Sequence, residues 1–286
     1  MHRRVAVPTT AWPRLRDLFL IEWPKHIVPY SMLQNYISWN EKDPSYVRQS
    51  VEIYCLDADW EDGTFYLVND SYLFFHTLDS DNARLESLLL MSLDNSKTYR
   101  CRCVYDRHLA LLNRVVQRLG MEKSYEMACY LVHMPREIAL DWDHLDPPEG
   151  IIFKPLTPDH AKIIAPVYPL RDQTSPGMFE RIIRYNTSLG AFDEETGNLV
   201  AWCMQFQSGE MTALQVVDKK WLRSYLGSVL TACVGRKLAE LGFDLWGIVA
   251  SNNDPPQKLI ARFRETGVNV IGMMHHVVFE PKRSKL

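Results

Sequence analysis

The chain has 286 residues, a net charge of −3 at neutral pH, 47% hydrophobic residues and 23% charged residues. The length suits two domains of ordinary size, and the composition is typical of soluble globular proteins, which argues against a disordered chain and a membrane protein. The small negative charge excludes nucleic-acid binding through overall charge, although a local basic turn could still bind a phosphate.

The six cysteines lie in or beside apolar patterns, and none has the CxxC spacing of a zinc site or a redox motif. We expect buried thiols and no metal cofactor. The first residues lack the long apolar segment of a secretion signal, and no stretch approaches the roughly 18 apolar residues of a membrane span. We therefore expect a soluble intracellular protein, cytoplasmic or mitochondrial.

The first 147 residues predict a lobe of mixed helices and strands. Apolar periodicity predicts helices around Leu15 and over 29–37, and alternation predicts a strand over 50–56. Two apolar runs flank the dipeptide 69–70, whose residues tolerate a positive φ, so a tight hairpin is predicted there. Four further elements complete this lobe: a helix over 85–93, a strand over 98–105, a helix over 106–119 and a strand over 125–132.

The acidic segment 136–150 ends in Pro-Pro-Glu-Gly and predicts a linker, with the domain boundary between residues 147 and 148. A strand over 151–154 follows, and helices are predicted to begin after Thr157 and Ser175, each of which precedes a proline. The remaining elements are a hairpin that turns at 197–198, a strand over 211–217, a helix to Gly242, a strand over 243–249, a helix over 256–266 and a strand over 270–279.

The stretch 208–235 predicts a buried strand, a turn and an amphipathic helix. The turn carries Lys219, Lys220 and Arg223 at the predicted start of the helix. Helix N-termini favour anions because their first N–H groups have no helical acceptor and the helix dipole is positive there. The turn therefore suits a phosphate. The predicted core face of the helix repeats at three- and four-residue steps: Leu222, Leu226, Val229, Leu230 and Cys233.

Glu210 follows a turn glycine, Gly209, directly before the predicted strand, and no other acid lies between Glu195 and Asp218. An isolated carboxylate at this place could be a general base. It could equally be a solvated residue at the end of a hairpin, and spacing alone leaves both interpretations open.

The two lobes share an order of elements, which indicates an internal repeat. A helix, a glycine and a strand recur around Gly120 and around Gly267, and the hairpin at 69–70 is aligned with the hairpin at 197–198. The first lobe has the acidic segment 78–81 where the second has its basic turn, so we expect the first lobe to lack a phosphate site.

This order of elements resembles the GNAT acyltransferase fold, and three segments are similar to the glycine N-acyltransferase family: SGEM at 208–211, the turn and helix over 218–242, and SNNDPPQKL at 251–259. The likeness covers the second lobe well and the first lobe weakly. It implies an α+β protein of two GNAT-like mixed α/β lobes in tandem, 1–147 and 148–286, with the first lobe degenerate and the acyl-CoA site in the second.

The resemblance implies a role for Glu210, because the proposed base of the family is the glutamate after this glycine. It also implies that adjacent strands splay apart, so that the pantetheine arm of CoA pairs with the strand after Glu210 as though it were another strand. The acyl-CoA-binding residues implied in this way are Leu214, Gln215, Val216, Val217, Lys219, Arg223, Ser224, Tyr225, Leu226, Gly227, Ser228 and Asn253.

Two positions depart from the superfamily pattern. The Arg-x-x-Gly-x-Gly phosphate turn is LRSYLG at 222–227, with Leu222 in place of the arginine and Tyr225 in place of the first glycine. The tyrosine that many of these enzymes carry after the asparagine turn is replaced by Ile260 and Ala261, so the sequence identifies no proton donor for the departing thiol.

Other residues have weaker claims to a role. His275 and His276 are neighbours on a strand, so their side chains point to opposite faces and shared metal ligation is disfavoured. Asn253 fits a ligand contact and a helix cap equally well. Trp202 and Met204 are expected in the core, with the lining of an acyl pocket as the alternative.

Three functions fit these residues. The first is an acyl-CoA-dependent N-acyltransferase that acylates the amine of a small acceptor such as glycine, with Glu210 as the general base. The second is an acetyltransferase of the same fold that acts on a protein or peptide amine. The third is a non-catalytic acyl-CoA-binding or interaction module, which the altered phosphate turn favours.

Overall fold

The computed structural model describes residues 2–142, 146–252 and 267–282. The chain divides into two compact units. Unit 1 comprises Met1–Tyr130, Ala250–Asn252 and Ile271–Leu286, and unit 2 comprises Leu131–Val249 and Asn253–Val270. By this division of contacts, unit 2 begins at Leu131 within β6, and the described residues 271–282 group with unit 1.

Unit 1 contains every helix and strand predicted for it, and two short elements besides. Its elements are β1 (Arg4–Ala6), α1 (Trp12–Asp17), α2 (Ile27–Lys42), α3 (Pro44–Ser50), β2 (Val51–Leu56), β3 (Phe65–Asn69), β4 (Tyr72–His76), α4 (Ala83–Ser92), β5 (Tyr99–Tyr105), α5 (Asp106–Arg118) and β6 (Met121–Met134), which enters unit 2 at Leu131. The hydrophobic pattern did not predict β1, because three residues are too few to show a period. It did not predict α3 either, because this helix begins at Pro44, two residues after the end of α2.

Unit 2 contains a helix where a linker was predicted. Its elements are α6 (Arg136–Leu140), β7 (Ile151–Lys154), α7 (Ala161–Val167), α8 (Met178–Tyr185), β8 (Ser188–Asp193), β9 (Leu199–Gln205), β10 (Met211–Val216), α9 (Leu226–Glu240), β11 (Leu245–Ala250) and the start of β12 (Asn269–Pro281), which enters unit 1 at Ile271. The linker prediction is wrong for α6, whose buried Ala139 packs with the core residues of α9. Asn253 and the predicted helix over 256–266 lie outside the described residues.

The strands of unit 1 follow the order β1-β2-β3-β4-β5-β12-β6. The first four pair antiparallel, β4 and β5 pair in parallel, and β12 pairs antiparallel with β5. The predicted hairpin joins β3 to β4 and turns at Asp70, whose φ is +53°. Apolar residues of α4 and α5 pack with those of β5 and β12 in one core cluster.

The strands of unit 2 form an antiparallel sheet in the order β10-β9-β8-β7. The predicted core face of α9 is confirmed for Val229, which is buried with its neighbours, whereas Cys233 is only half-buried. Leu222 was wrongly placed on this face, since it precedes the helix and is exposed. The helix packs on the sheet through buried residues four positions apart: Leu226, Leu230, Val234 and Leu238.

No helix within the described ranges is long and apolar enough to cross a membrane. The same three ranges contain no group of His, Cys, Asp and Glu side chains that could hold a metal ion. All six cysteines fall in these ranges as thiols, and five of them are buried.

Candidate functional site

A β-bulge interrupts β10 in its middle. The register with β9 shifts between Thr212 and Gln215, so that Ala213 and Leu214 together lie opposite Cys203. Ala213 has a φ of +53°, a left-handed conformation that residues with a side chain rarely adopt. The bulge releases Leu214 from the ladder, and the side chain of Leu214 is exposed.

The outer edge of β10 is paired with no strand among the described residues. This strand ends the order β10-β9-β8-β7, and β11 belongs to another sheet. The two strands meet closely at one point, because a Cβ atom added to Gly247 of β11 would lie 3.0 Å from the carbonyl oxygen of Met211. The separation of the two strands between sheets agrees with the splaying that the family resemblance implies.

Not every backbone group of the predicted strand is open to a ligand. The N–H of Val217 donates to the carbonyl oxygen of Val200 over 2.9 Å, so this group is not available as predicted. Gln215 and Val216 pair with β9 on the inner side of the strand. The side-chain amide of Gln215 donates to the carbonyl oxygen of Val167 over 2.9 Å. The outer edge from Leu214 to Val216 is therefore the part of this strand that a ligand could meet.

The basic turn does not form the first turn of α9. Lys219–Trp221 is a 3-10 turn, which the Asp218 side chain caps by accepting from the N–H of Lys220 over 2.8 Å. Arg223 then adopts a left-handed φ of +66°, and α9 begins only at Leu226. The cations thus lie just before the helix rather than within its first turn, which corrects the predicted helix start.

The first turn of α9 lies over the bulged strand. A Cβ atom added to Gly227 would lie 3.7 Å from side-chain atoms of both Leu214 and Val216. The Ser224 hydroxyl accepts from the N–H of Leu226 over 3.2 Å and donates to the Trp221 carbonyl oxygen over 2.6 Å, so it already has partners. By helix geometry, the N–H groups of Gly227 and Ser228 have no acceptor four residues earlier within the helix.

Exposed apolar side chains surround the basic turn. Lys220 lies 4.8 Å from the centre of the Trp221 ring and 3.7 Å from the Asp193 carboxylate. The pKa of Asp193 is lowered, first by hydrogen bonds from Thr196 and then by the charge of Lys220. We call the following residues the basic-apolar patch: Lys219, Lys220 and Arg223 with Leu214, Val217, Leu222 and Tyr225, the last four being 38%, 37%, 52% and 61% exposed.

Glu210 is fully buried, which excludes the interpretation as a solvated residue at the end of a hairpin. It ends the turn between β9 and β10, and its carbonyl oxygen accepts from the N–H of Phe206 over 2.8 Å. Gln207 and Ser208 of the same turn are also fully buried. A turn whose polar side chains are all buried is unusual, since connections between strands normally lie at the surface. The structure thus encloses a carboxylate at the start of β10.

The comparisons with known proteins concern the fold of the chain. The family model described as FR47-like protein matches residues 188–264. A Drosophila protein of known structure matches with a TM-score of 0.87 at 18% identity, over 98% of this chain and 99% of that one. A tandem GNAT protein from the clavulanic acid biosynthesis pathway matches with a TM-score of 0.55 at 12% identity, over all of both chains.

A candidate acetyltransferase from Pyrococcus horikoshii matches with a TM-score of 0.54 at 11% identity, over 98% of this chain and 90% of that one. The chain has a tandem GNAT fold. The comparison with curated proteins gives no match. The fold class implied by the resemblance is therefore confirmed.

In the first half of the tandem GNAT fold, the parallel strands β4 and β5 are joined at one end, and residues of α2 line the small space between them further along. The N–H of Arg100 in β5 donates to the carbonyl oxygen of Ser71 over 2.7 Å, and Tyr72 of β4 pairs with Arg100. Further along the two strands, the space holds only about 10 Å³ beside Val28 and Met32 of α2. This is about the volume that one water molecule needs, so unit 1 has no room here for a pantetheine arm.

The strand order corrects the alignment of the two hairpins. The hairpin at 69–70 joins the third and fourth strands of unit 1, β3 and β4. Its counterpart in unit 2 is the turn that ends at Glu210, between β9 and β10, rather than the turn at 197–198. The acidic segment 78–81 therefore remains the equivalent of the basic turn, since each follows the fourth strand.

The weaker candidates have structural partners. His275 Nε2 lies 2.9 Å from a carboxylate oxygen of Asp106, and the ring of His276 packs edge-on against Tyr125. Trp202 and Met204 are fully buried, as expected for core residues.

Sequence reasoning missed two residues of the site. Gly247 carried a signal, because a glycine inside a predicted strand often marks a close backbone approach. Asn186 carried none, since its side chain bonds to backbone groups 19 and 20 residues further along the chain.

Proposed function

We propose that the chain is an acyl-CoA-dependent N-acyltransferase that acylates the amine of a small acceptor such as glycine, with Glu210 as the general base. One observation carries this proposal: a fully buried carboxylate stands at the start of a bulged edge strand that leads directly to the basic-apolar patch. A ligand that spans this strand would therefore have one end at a proton acceptor and the other at a cationic, apolar surface.

The residues present fit acyl-CoA. β10 has six residues and so extends about 20 Å, a length over which an extended arm can follow its outer edge. Phosphate groups would meet the charges of Lys219 and Arg223 and the N–H groups of Gly227 and Ser228. The exposed side chains of the patch offer apolar area to the rest of the nucleotide.

The chemistry assigned to the chain is proton transfer at one carboxylate. A bound thioester supplies an activated acyl carbonyl. Glu210 accepts the proton that the amine loses as its nitrogen bonds to the carbonyl carbon, and the C–S bond then breaks to release the thiolate. Full burial keeps bulk water away from the carboxylate.

Glu210→Gln tests the assignment of the base. The amide keeps the shape of the side chain but cannot accept the proton, so turnover should fall about 10²- to 10⁴-fold while CoA affinity stays the same. The deficit should shrink as pH rises, because more of the amine then arrives without its proton. Thiol release from several acyl-CoAs with a panel of amines gives the rate, and calorimetry gives the affinity.

The matched control is Glu195→Gln, which makes the same change at an exposed position of the turn between β8 and β9. It should leave both rate and affinity unchanged. Unchanged turnover in Glu210→Gln would contradict the assignment of the base, and absence of thiol release with every pair of substrates would contradict the enzyme.

A second candidate is an acyl-CoA-binding module without turnover. Two observations favour it: Leu222 and Tyr225 occupy the positions of an arginine and a glycine in the phosphate turn, and the Ser224 hydroxyl already has partners. CoA binding by calorimetry without thiol release from any amine would establish this function.

A further inference from the structure

The Asn186 side chain holds the start of the turn that carries Glu210. Asn186 Nδ2 donates to the carbonyl oxygen of Gln205 over 3.1 Å and to that of Phe206 over 2.9 Å. These two carbonyl groups belong to the last residues of the chain before the turn. One amide group therefore fixes two successive peptide units at the point where β9 runs into the turn.

Asn186 is itself anchored to a helix. It follows the last residue of α8, and its backbone N–H donates to the carbonyl oxygen of Ile182 over 2.9 Å. The Nδ2 group is the end of the amide that faces the two carbonyl groups, because the amide oxygen would repel them at these distances. The Asn186 side chain thus fixes the start of the turn relative to the end of α8.

A second amide, that of Gln205 at the end of β9, closes the turn. Gln205 Nε2 donates to the carbonyl oxygen of Gly209 over 3.3 Å, and the N–H of Gly209 donates to the carbonyl oxygen of Phe206 over 2.9 Å. Gly209 has a φ of +95°, which glycine adopts without a steric cost. The residue directly before Glu210 is therefore held at both its N–H and its C=O.

We propose that Asn186 is a positioning residue that sets the place of the Glu210 carboxylate, with Gln205, at the end of β9, as its support. The inference rests on the proposed function, because it assigns to these amides an effect on the base and not on the ligand. The backbone of Glu210 is tied to this network through the hydrogen bond from the Phe206 N–H to its carbonyl oxygen. Loss of the Asn186 contacts loosens the peptide that leads to the base, and small displacements of a reacting group can cost about 100-fold in rate.

Asn186→Asp is the direct test, since it keeps the shape of the side chain and replaces the two donated hydrogens with an acceptor. We expect kcat to fall about 10- to 100-fold while the dissociation constant of CoA stays within about twofold. The deficit should shrink as pH rises, as in Glu210→Gln, because a deprotonated amine needs no base. Asn198→Asp is the matched control, because it makes the same change at an exposed position of the other hairpin, and its kcat should not change.

A double-mutant cycle distinguishes this inference from the proposed function. If Asn186 acts through Glu210, adding Asn186→Asp to Glu210→Gln lowers kcat by less than about twofold further. Multiplied losses in the double variant would overturn the inference and leave the proposed function standing. Unchanged turnover in Glu210→Gln alone would overturn the proposed function and the inference with it.

Gln205→Glu provides a second variant if Asn186→Asp does not fold, as judged by circular dichroism. It removes the donor to the Gly209 carbonyl oxygen with little change of shape, and the same split between kcat and CoA affinity is expected, with the same pH profile. A folded Gln205→Glu or Asn186→Asp variant with wild-type kcat, or with a deficit that is constant with pH, would overturn the inference.

Discussion

Three buried histidines of unit 1 form a chain whose protonation should set the acid stability of that unit. His76 Nε2 lies 3.2 Å from His26 Nδ1, and His108 Nε2 lies 3.4 Å from His76 Nδ1. Neutral rings satisfy both contacts with one N–H each. Burial lowers the pKa of His108 from 6.5 to about 3, and the charges of Arg107 and His26 lower it further to a smaller extent. Burial also lowers the pKa of His76.

The sign of the effect depends on which state, folded or unfolded, binds the proton of His108 more tightly. The unfolded chain binds it more tightly, because the pKa of His108 is lower in the folded state. The contribution of His108 to stability is therefore fully present above pH 6.5 and is lost as pH falls from there towards 3. At about pH 5, an unfolded histidine with its ordinary pKa gains about 2 kcal/mol from protonation, so unit 1 loses about this amount through His108 alone.

Hydrogen exchange at amides of β5 and α5 measures this loss, at about pH 7 and about pH 5 after correction for the intrinsic exchange rate. Wild type should lose at least about 2 kcal/mol on acidification, and His108→Gln should lose about 2 kcal/mol less than wild type. The matched control is His2→Gln, which changes an exposed histidine paired with Asp57, and its loss on acidification should differ from that of wild type by less than about 1 kcal/mol. Equal losses in wild type and in His108→Gln would refute the reasoning.

Two further predictions concern packing and thiol reactivity in unit 2. Gly190→Ala should destabilise unit 2 by about 1 to 3 kcal/mol in urea unfolding, because the new Cβ would lie 2.7 Å from Leu156 and 2.8 Å from Leu199. Gly272→Ala in unit 1, where a Cβ meets nothing within 4 Å, should change the stability of that unit by less than about 0.5 kcal/mol, and equal effects of the two substitutions would contradict the packing argument. Iodoacetamide should modify Cys233 before the five buried cysteines in native protein, as followed by mass spectrometry, because only Cys233 is partly exposed. Burial raises the pKa of Cys203 to about 12, so earlier modification of this thiol would show that the core is open.

The sequence predicts elements well where the hydrophobic period and the flanking turn residues indicate the same element. The strand Ile151–Lys154 was predicted at its observed bounds, since a glycine and a proline enclose its four residues. The hairpin between β3 and β4 was predicted from its turn dipeptide, which needs a positive φ. Such features are local and do not depend on contacts with residues that are distant in sequence.

Features that depend on distant contacts escape the same reasoning. Leu222 lies four residues before Leu226, which is a helical spacing. Arg223 between them has a positive φ that interrupts helical geometry, and hydrophobic periodicity cannot show this. Segment 136–150 has the composition of a linker, yet Ala139 is buried against a helix that lies some hundred residues away. The burial of Glu210 likewise depends on the fold and not on its neighbours in sequence.

The strand order of unit 1 has a consequence for synthesis on the ribosome. The strand β12 lies between β5 and β6, yet the chain reaches it only after all of the described part of unit 2. While translation proceeds, β5 and β6 have no strand between them, and unpaired strand edges invite association with other chains. The sheet of unit 1 can therefore form in full only after the chain has reached β12, and until then the facing edges of β5 and β6 are open to other strands.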